Sequence, residues 1–497
     1  MSAEALGEHV QGRLLFNDFI VVLPGIGGST LHRGARAVWE PPLALGGALK
    51  ARSRGFEDLA GDHGLLDDPE YDDSVVASGL IGGGRSLPGL AKVNQYNLLR
   101  KRILGTLRVV KGNCAVDGKP ANYFEFPYDW RRDNRVSAQR LKEFIDRELP
   151  KWATTWPHGH PTVVFVCHSM GGLVAKYYLD ALGGWEHCRA LITFGTPFRG
   201  SLAALDMLAN GVRKFGLAFD GISSVISEFT SVYQLLPRYP VVVDRRAGVP
   251  DPSRRLRVHE LTSGAGLLDL KRAASAYEDF HRQMDEDLST HAGSHASFSM
   301  VPIVGYGHAT RQSAIVDDKG LRTTEESIAF HASQQWLATG DGTVPAVSAL
   351  PVELSETGTW GWENATHSSM HATERVLGRL LRMLAQYSGG LRDLQGPGRA
   401  SKPSPFATEL DSHALDLRVG DVYAEDEPVI VTCASPDIAT GTHPPQIAFS
   451  GPGTPATVAL EERDGAARWA ATGLRPGSYE VTATVGDRSV TDVFEVW

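Results

Sequence analysis

The chain first turns apolar at Phe19-Ile-Val-Val-Leu23, a β-branched run that stops at Pro24-Gly25. A short apolar run closed by a turn signal predicts a buried strand. Helix-like and strand-like patterns then alternate. Residues 94–108 and 137–149 read as helices, while Tyr123–Phe126 and Thr162–Cys167 read as strands. Gly172–Leu182 reads as a helix, Ala190–Phe194 as a strand, and Met300–Val304 as another. In Gly172–Leu182 the 3.6 period puts Leu173, Tyr177 and Ala181, with Val174, Tyr178 and Leu182, on one face, and Lys176 and Asp180 on the other. A last helix is expected near 373–387, with Val376, Leu377, Leu380, Leu381 and Leu384 as its apolar positions. Strands alternating with helices predict an α/β fold, a mostly parallel sheet with helices on both faces.

Two stretches break this alternation. Residues 39–89 are rich in Gly, Pro and Asp and too long for a simple connection, which points to a functional flap or disorder. Between about 201 and 298 lies a mixed insertion of the kind that caps a site. Beyond residue 387 the composition changes. Residues 388–412 carry the Gly, Pro, Ser and Lys/Arg content of a linker. From 413 to 497, short alternating runs (VIVTCAS, QIAFSG, ATVALEE, ARWAATG, YEVTATVG, DVFEVW) are separated by turn signals. That pattern predicts an all-β, sandwich-like module.

Charge narrows the function. Against 58 acidic residues the chain has 49 basic ones, a net charge of −9. A general nucleic-acid binder would need a basic stripe to displace counterions, so no nucleic-acid partner is expected. No apolar run approaches the ~20 residues of a spanning helix. Cys114, Cys167, Cys188 and Cys433 form no CxxC pair and are too few for a disulfide framework. The N-terminal residues lack a signal-peptide pattern, and a cytoplasmic location is expected.

Chemistry concentrates at TVVFVCHSMGGLVAKYYLDAL, where a strand runs into His168-Ser169-Met170-Gly171-Gly172 and then a helix. This is the strand–Ser–helix context of a nucleophile elbow, with Cys167 where the usual Gly-x-Ser-x-Gly has its first glycine. Gly171 is expected where the backbone crowds in the turn. Cys167 itself is expected to be a packed small hydrophobe. A serine needs a base held by a carboxylate. Asp341, in Gly340-Asp341-Gly342-Thr343-Val344-Pro345, is the candidate acid, and His367, just before the last helix, the candidate base. The order Ser…Asp…His is that of α/β-hydrolases. His371 competes; His367 is preferred because a base must reach Ser169 from a loop, and His371 otherwise reads as an exposed first-turn residue. The tetrahedral oxyanion needs two donors. The N–H of Met170 and that of Ile26, in the turn Pro24-Gly25-Ile26-Gly27-Gly28-Ser29, are the candidates. No GxxxxGK[ST] or GxGxxG occurs, which disfavours a nucleotide site. No metal or cofactor is expected, since this chemistry needs none and no HExxH or Cys/His cluster occurs.

Several segments together resemble the lecithin:cholesterol acyltransferase family, which includes lysosomal phospholipase A2 and phospholipid:diacylglycerol acyltransferases. They are VVLPGIGGSTL, LPGLAKVNQYNLL at 87–99, FPYDWR at 126–131, CHSMGGLVAKYYL, FGTPFRGS at 194–201, YQLLP at 233–237, GDGTVP and HSSM, in the family's order. The resemblance implies an α/β-hydrolase core over 1–387 with a lid at about 40–80 and a cap at about 201–298. It implies Ser169 as nucleophile, Asp341 as acid, His367 as base, and Ile26 and Met170 as oxyanion donors. Trp39 is similar to the tryptophan-bearing start of the family's lid. The disulfides of secreted animal members have no matching cysteines here, and the β-module has no counterpart in the family's core.

The expected function is a serine-dependent lipid acyl-ester hydrolase or O-acyltransferase working through an acyl-serine, on phospholipid or neutral lipid. Two alternatives stay open: a small-ester or thioester hydrolase, and a decayed hydrolase acting as a binding scaffold through its β-module. With a net negative charge, membrane contact would fall to lid and cap; Leu43–Lys50 and Phe215–Phe219 are the candidate segments, and buried packing is the favoured reading of each. A protein partner of the β-module is a further expectation.

Overall fold

The computed structural model describes residues 13–40, 58–61, 66–67, 73–156, 160–214, 217–218, 220–246, 254–263, 265–290, 298–326, 338–354, 361–388, 414–463 and 465–497. Most of the expected lid, including Leu43–Lys50, lies outside these residues, as do Phe215, Gly216 and Phe219 and nearly all of the expected linker.

A parallel sheet carries the fold. Its strands are β1 (Phe19–Leu23), β2 (Tyr123–Glu125), β3 (Val163–His168), β4 (Cys188–Phe194), β5 (Ser299–Gly305) and β6 (Gly361–Glu363). They lie in the order β6-β5-β4-β3-β1-β2, and every pairing is parallel. The apolar runs of β1 and β3 are continuous because both sheet faces are covered. Phe19, Val21, Leu23, Phe165 and Cys167 point to one core. Ile20, Val22, Val164 and Val166 point to the other.

The helices that cover these faces are α1 (Asn97–Thr106), α2 (Asn134–Ala153), α3 (Gly171–Ala181), α4 (Leu202–Asn210) and α5 (Glu374–Ser388). On the first face α2 packs Leu141, Phe144 and Ile145, and α3 packs Leu173 and Val174. On the second, α1 packs Leu99 and Ile103, and α5 packs Val376, Leu377, Leu380 and Leu384. The α2 helix starts before the expected residue 137 because Asp133 caps it, accepting from the N–H of Arg135 at 2.7 Å.

One amphipathic reading needs correction. The α3 helix is buried from Gly171 to Asp180, and Lys176 and Asp180 do not face solvent. Lys176 donates to Asp180 at 2.6 Å and also pairs with Glu353 from a distant loop. A buried charge is tolerated when it is paired in this way.

Among the described residues, two further sheets of three or more strands were not evident in the sequence. Arg36–Trp39, Ser29–Arg33 and Val75–Leu80 form an antiparallel sheet after β1. Arg255–Leu256, Val242–Asp244, Ser313–Asp317 and Gly320–Thr324 form a mixed one.

The described residues of the C-terminal region are all-β apart from a single helical turn. Its strands are β7 (Asp416–Val419), β8 (Val422–Tyr423), β9 (Val429–Ala434), β10 (Gln446–Ser450), β11 (Ala456–Arg463), β12 (Ala466–Thr472), β13 (Gly477–Val485) and β14 (Arg488–Val496). They form two sheets, ordered β7-β9-β12-β11 and β8-β14-β13-β10. Inward-facing Val429, Val431, Cys433, Tyr479, Val481 and Phe494 fill the space between them. Val422 and Trp497 instead join the hydrolase core, so the module is packed into the α/β unit. The chain is thus an α/β-hydrolase with a C-terminal β module. No helix among the described residues is long and apolar enough to cross a membrane.

Candidate active site

The β3 strand ends in a strained turn. Ser169 has φ of 51°, and among the described non-glycine residues only Ser74 shares a positive φ. The left-handed region disfavours a side chain, and such strain clusters at functional sites. The turn is held by the Ser169 N–H donating to Phe194 O at 2.9 Å and by Thr196 Oγ1 donating to Ser169 O at 2.8 Å. A Cβ on Gly171 would sit 2.4 Å from Pro24 O, so only glycine lets the helix begin there. Cys167 is buried beside the elbow, and burial holds its thiol protonated, well above the ordinary range.

Ser169, His367 and Asp341 come together although they are remote in sequence. Ser169 Oγ lies 2.8 Å from His367 Nε2, and His367 Nδ1 lies 2.7 Å from Asp341 Oδ2. All three are nearly inaccessible to solvent. Asp341 is fixed through its other oxygen, which accepts from the N–H groups of Thr343 at 3.0 Å and Val344 at 2.7 Å. Its backbone carbonyl accepts from the N–H of His367 at 2.8 Å. With Nδ1–H donated to the carboxylate, Nε2 faces the Ser169 hydroxyl as a hydrogen-bond acceptor.

The turn carrying Ile26 stands against the elbow: a Cβ on Gly25 would lie 2.8 Å from Ser169 Cβ. Met170 occupies the N-cap of α3, where N–H groups lack intrahelical acceptors. Two tyrosines hold this turn. Tyr128 donates to Pro24 O at 2.8 Å, and Tyr96 Oη accepts from the Gly25 N–H at 3.0 Å. Tyr96 also donates to His168 Nδ1 at 2.9 Å, and His168 Nε2–H donates to the His367 carbonyl at 2.9 Å. Tyr96 and Tyr128 sit inside NQYNLL and FPYDWR, segments noted for resemblance but given no role from sequence.

His371 is not exposed. It is completely buried in a short 3-10 turn, Met370–Ala372, and stacks on Tyr96 with ring centroids 4.3 Å apart. Burial lowers its pKa to about 4, and burial likewise holds that of His168 well below the usual value. Both are neutral at pH 7. Trp39 is buried as well and donates to Gly27 O at 2.7 Å, one residue past Ile26.

A cavity of about 930 Å³ opens where the Pro88–Lys92 segment, α4, and the module strands meet. Leu90, Met207, Val212, Ile222, Val422 and Trp497 give it an apolar wall, and it reaches Gly342 and Thr343, next to Asp341. Among the described residues no cluster of His, Cys, Asp and Glu side chains is arranged to hold a metal.

The family model for lecithin:cholesterol acyltransferase matches residues 98–348, half of the chain. The chain belongs to the lecithin:cholesterol acyltransferase family. The matched span includes Ser169 and Asp341 and ends before His367. As a member it is a lipid acyl-ester hydrolase or acyltransferase. The Bacillus licheniformis lipase BlEst2 in mature form overlaps this family member at 12% identity, covering 74% of this chain and 92% of that one, with a TM-score of 0.29. Phospholipase PlaB from Legionella pneumophila overlaps at 9% identity, covering 96% and 89%, with a TM-score of 0.21. The M1 domain from titin covers 16% of this chain and 92% of its own at 14% identity, with a TM-score of 0.12. No curated protein matches the sequence. Membership rests on the family match.

Proposed function

We propose that the protein transfers the acyl group of a lipid ester through an acyl-Ser169 intermediate. The observation that carries this reading is the unbroken relay Asp341–His367–Ser169, with the serine on a positive-φ turn. His367 Nε2 takes the proton of Ser169 as Oγ attacks the ester carbonyl carbon. Asp341 stabilises the imidazolium. The N–H groups of Ile26 and Met170 receive the oxyanion, helped by the positive end of α3. The bond to the alcohol then breaks, and His367 gives its proton to the departing oxygen. A second nucleophile, water or an alcohol, loses its proton to His367 as it attacks the acyl carbonyl, and His367 returns that proton to Ser169 Oγ as the acyl–serine bond breaks. The acyl chain lies along the apolar wall of the cavity that reaches Gly342 and Thr343, whose lining also includes the charged Lys92, Asp206, Arg311 and Arg322. Lid and cap make the membrane contact. Four free thiols fit a reducing compartment, the cytoplasm.

The test is turnover of mixed phospholipid vesicles, with and without an added long-chain alcohol, against a series of p-nitrophenyl esters. Lipid turnover lost in Ser169→Ala supports the reading. Turnover of short esters alone favours the small-ester enzyme instead. The fate of the acyl group, free acid or ester, separates hydrolysis from transfer.

A further inference from the structure

The C-terminal module does more than stand beside the α/β unit: it holds the loop that carries His367. Every residue of Thr366–Ser369 is buried. The carbonyl of Thr491, on β14, accepts from Thr366 Oγ1 at 2.6 Å and from Ser369 Oγ at 2.7 Å. The carboxylate of Asp492, the next residue, accepts from Ser368 Oγ at 2.7 Å. The residues on both sides of His367 are therefore tied to one strand of the module.

The other end of the loop is tied as well. Asn364 donates to Leu415 O at 3.0 Å and accepts from the Leu415 N–H at 2.9 Å. Asp492 is itself anchored. Its second oxygen pairs with Lys92, whose ammonium also donates to Val419 O at 3.0 Å. A carboxylate that is buried, paired and bonded is a rigid support, whereas a hydroxyl left without its acceptor is free to rotate.

The α/β unit holds the same loop chiefly through its backbone and through the His367 ring: the Asn94 N–H donates to Ser368 O at 3.2 Å, Asn364 also donates to Tyr306 O at 3.0 Å, and Asp341, His168 and Ser169 bond His367. Three side-chain hydroxyls in four residues turn toward the module.

We propose that the module is part of the active site, with Asp492 a positioning residue that holds His367 in line with Ser169 through Ser368. The proposal rests on His367 being the base. A module used only as a docking platform for a partner would not need to grip this loop.

The full-length chain tests this with Ser368→Ala, Asp492→Ala and Asp492→Asn, measured for kcat and KM on a p-nitrophenyl ester and for melting temperature. A displacement of about 1 Å at a catalytic group costs on the order of 10²-fold, so Asp492→Ala is expected to lose about that in kcat with KM little changed. Ser368→Ala is expected to lose about tenfold in the same parameter. Asp492→Asn keeps an oxygen for Ser368 and is expected to recover most of the loss. A folded Asp492→Ala or Ser368→Ala protein with wild-type kcat overturns the proposal, as does an Asn variant no better than the Ala one. If Asp492→Ala does not fold, Ser368→Ala alone decides. An active Ser169→Ala protein would instead overturn the reading of the site.

Discussion

Tyr96 Oη lies 3.0 Å from the backbone nitrogen of Gly25 and 2.9 Å from His168 Nδ1, so one phenol joins the turn carrying Ile26 to the residue preceding Ser169. His168 extends the link to the His367 carbonyl at 2.9 Å. The proposed nucleophile, base and oxyanion turn thus share one buried network, and burial keeps the phenol protonated. Removing its hydroxyl leaves the Gly25 N–H and His168 without their partner. Tyr96→Phe is expected to lower kcat about 10- to 100-fold with little change in KM, read from steady-state kinetics. Wild-type kcat in that variant would remove Tyr96 from the account.

The two histidines of the terminal loop should separate cleanly. His367 bonds both Ser169 and Asp341, while His371 stacks on Tyr96. His367→Ala is expected to cost about 10⁴-fold or more in kcat. His371→Gln is expected to keep most activity and lose stability, checked by thermal melting. The reverse ranking would move the base to His371.

Acid should destabilise the fold before it titrates most carboxylates. Burial lowers the pKa of His371 to about 4 and that of His281 to about 3, and holds His168 well below its usual value. Between each lowered value and the ordinary ~6.5, the unfolded chain binds more protons than the folded one. Stability is therefore full above ~6.5 and falls as pH drops, down to about 4 for His371 and about 3 for His281. Melting curves from about pH 7.5 to about pH 5 should show this fall, and His371→Gln should flatten part of it. An unchanged slope in that variant would exclude His371 as a source.

The cavity gives a prediction on chain length. Met207 lines it from α4 and is almost fully buried. Met207→Trp should block long acyl chains and spare short ones, lowering kcat/KM for a long-chain ester by about 10-fold or more relative to a butyryl ester. An unaltered chain-length profile would take the acyl chain out of this cavity.

Much of the fold was legible because β1, β3 and β4 are covered on both faces and so read as unbroken apolar runs. Ser169 stood out for a local reason, since a turn between a buried strand and a helix leaves a signature in adjacent residues. What was misread depended on distant chain. Lys176 and Asp180 look like a polar helix face until Glu353 is seen to complete the cluster. His371 looks exposed because nothing nearby in sequence announces that Tyr96 covers it. The β6 strand spans three residues, too few for any period to register. Asp492 sits on an alternating strand as one more polar residue, and its partner Ser368 is 124 positions away.

The central claim is that Ser169 carries the acyl group. The most direct measurement is labelling of the full chain with a fluorophosphonate, followed by mass mapping of the modified peptide. A single adduct on Ser169, absent from Ser169→Ala and suppressed in His367→Ala, is the predicted result. Equal labelling of Ser169→Ala, or an adduct mapped to another residue, would contradict it.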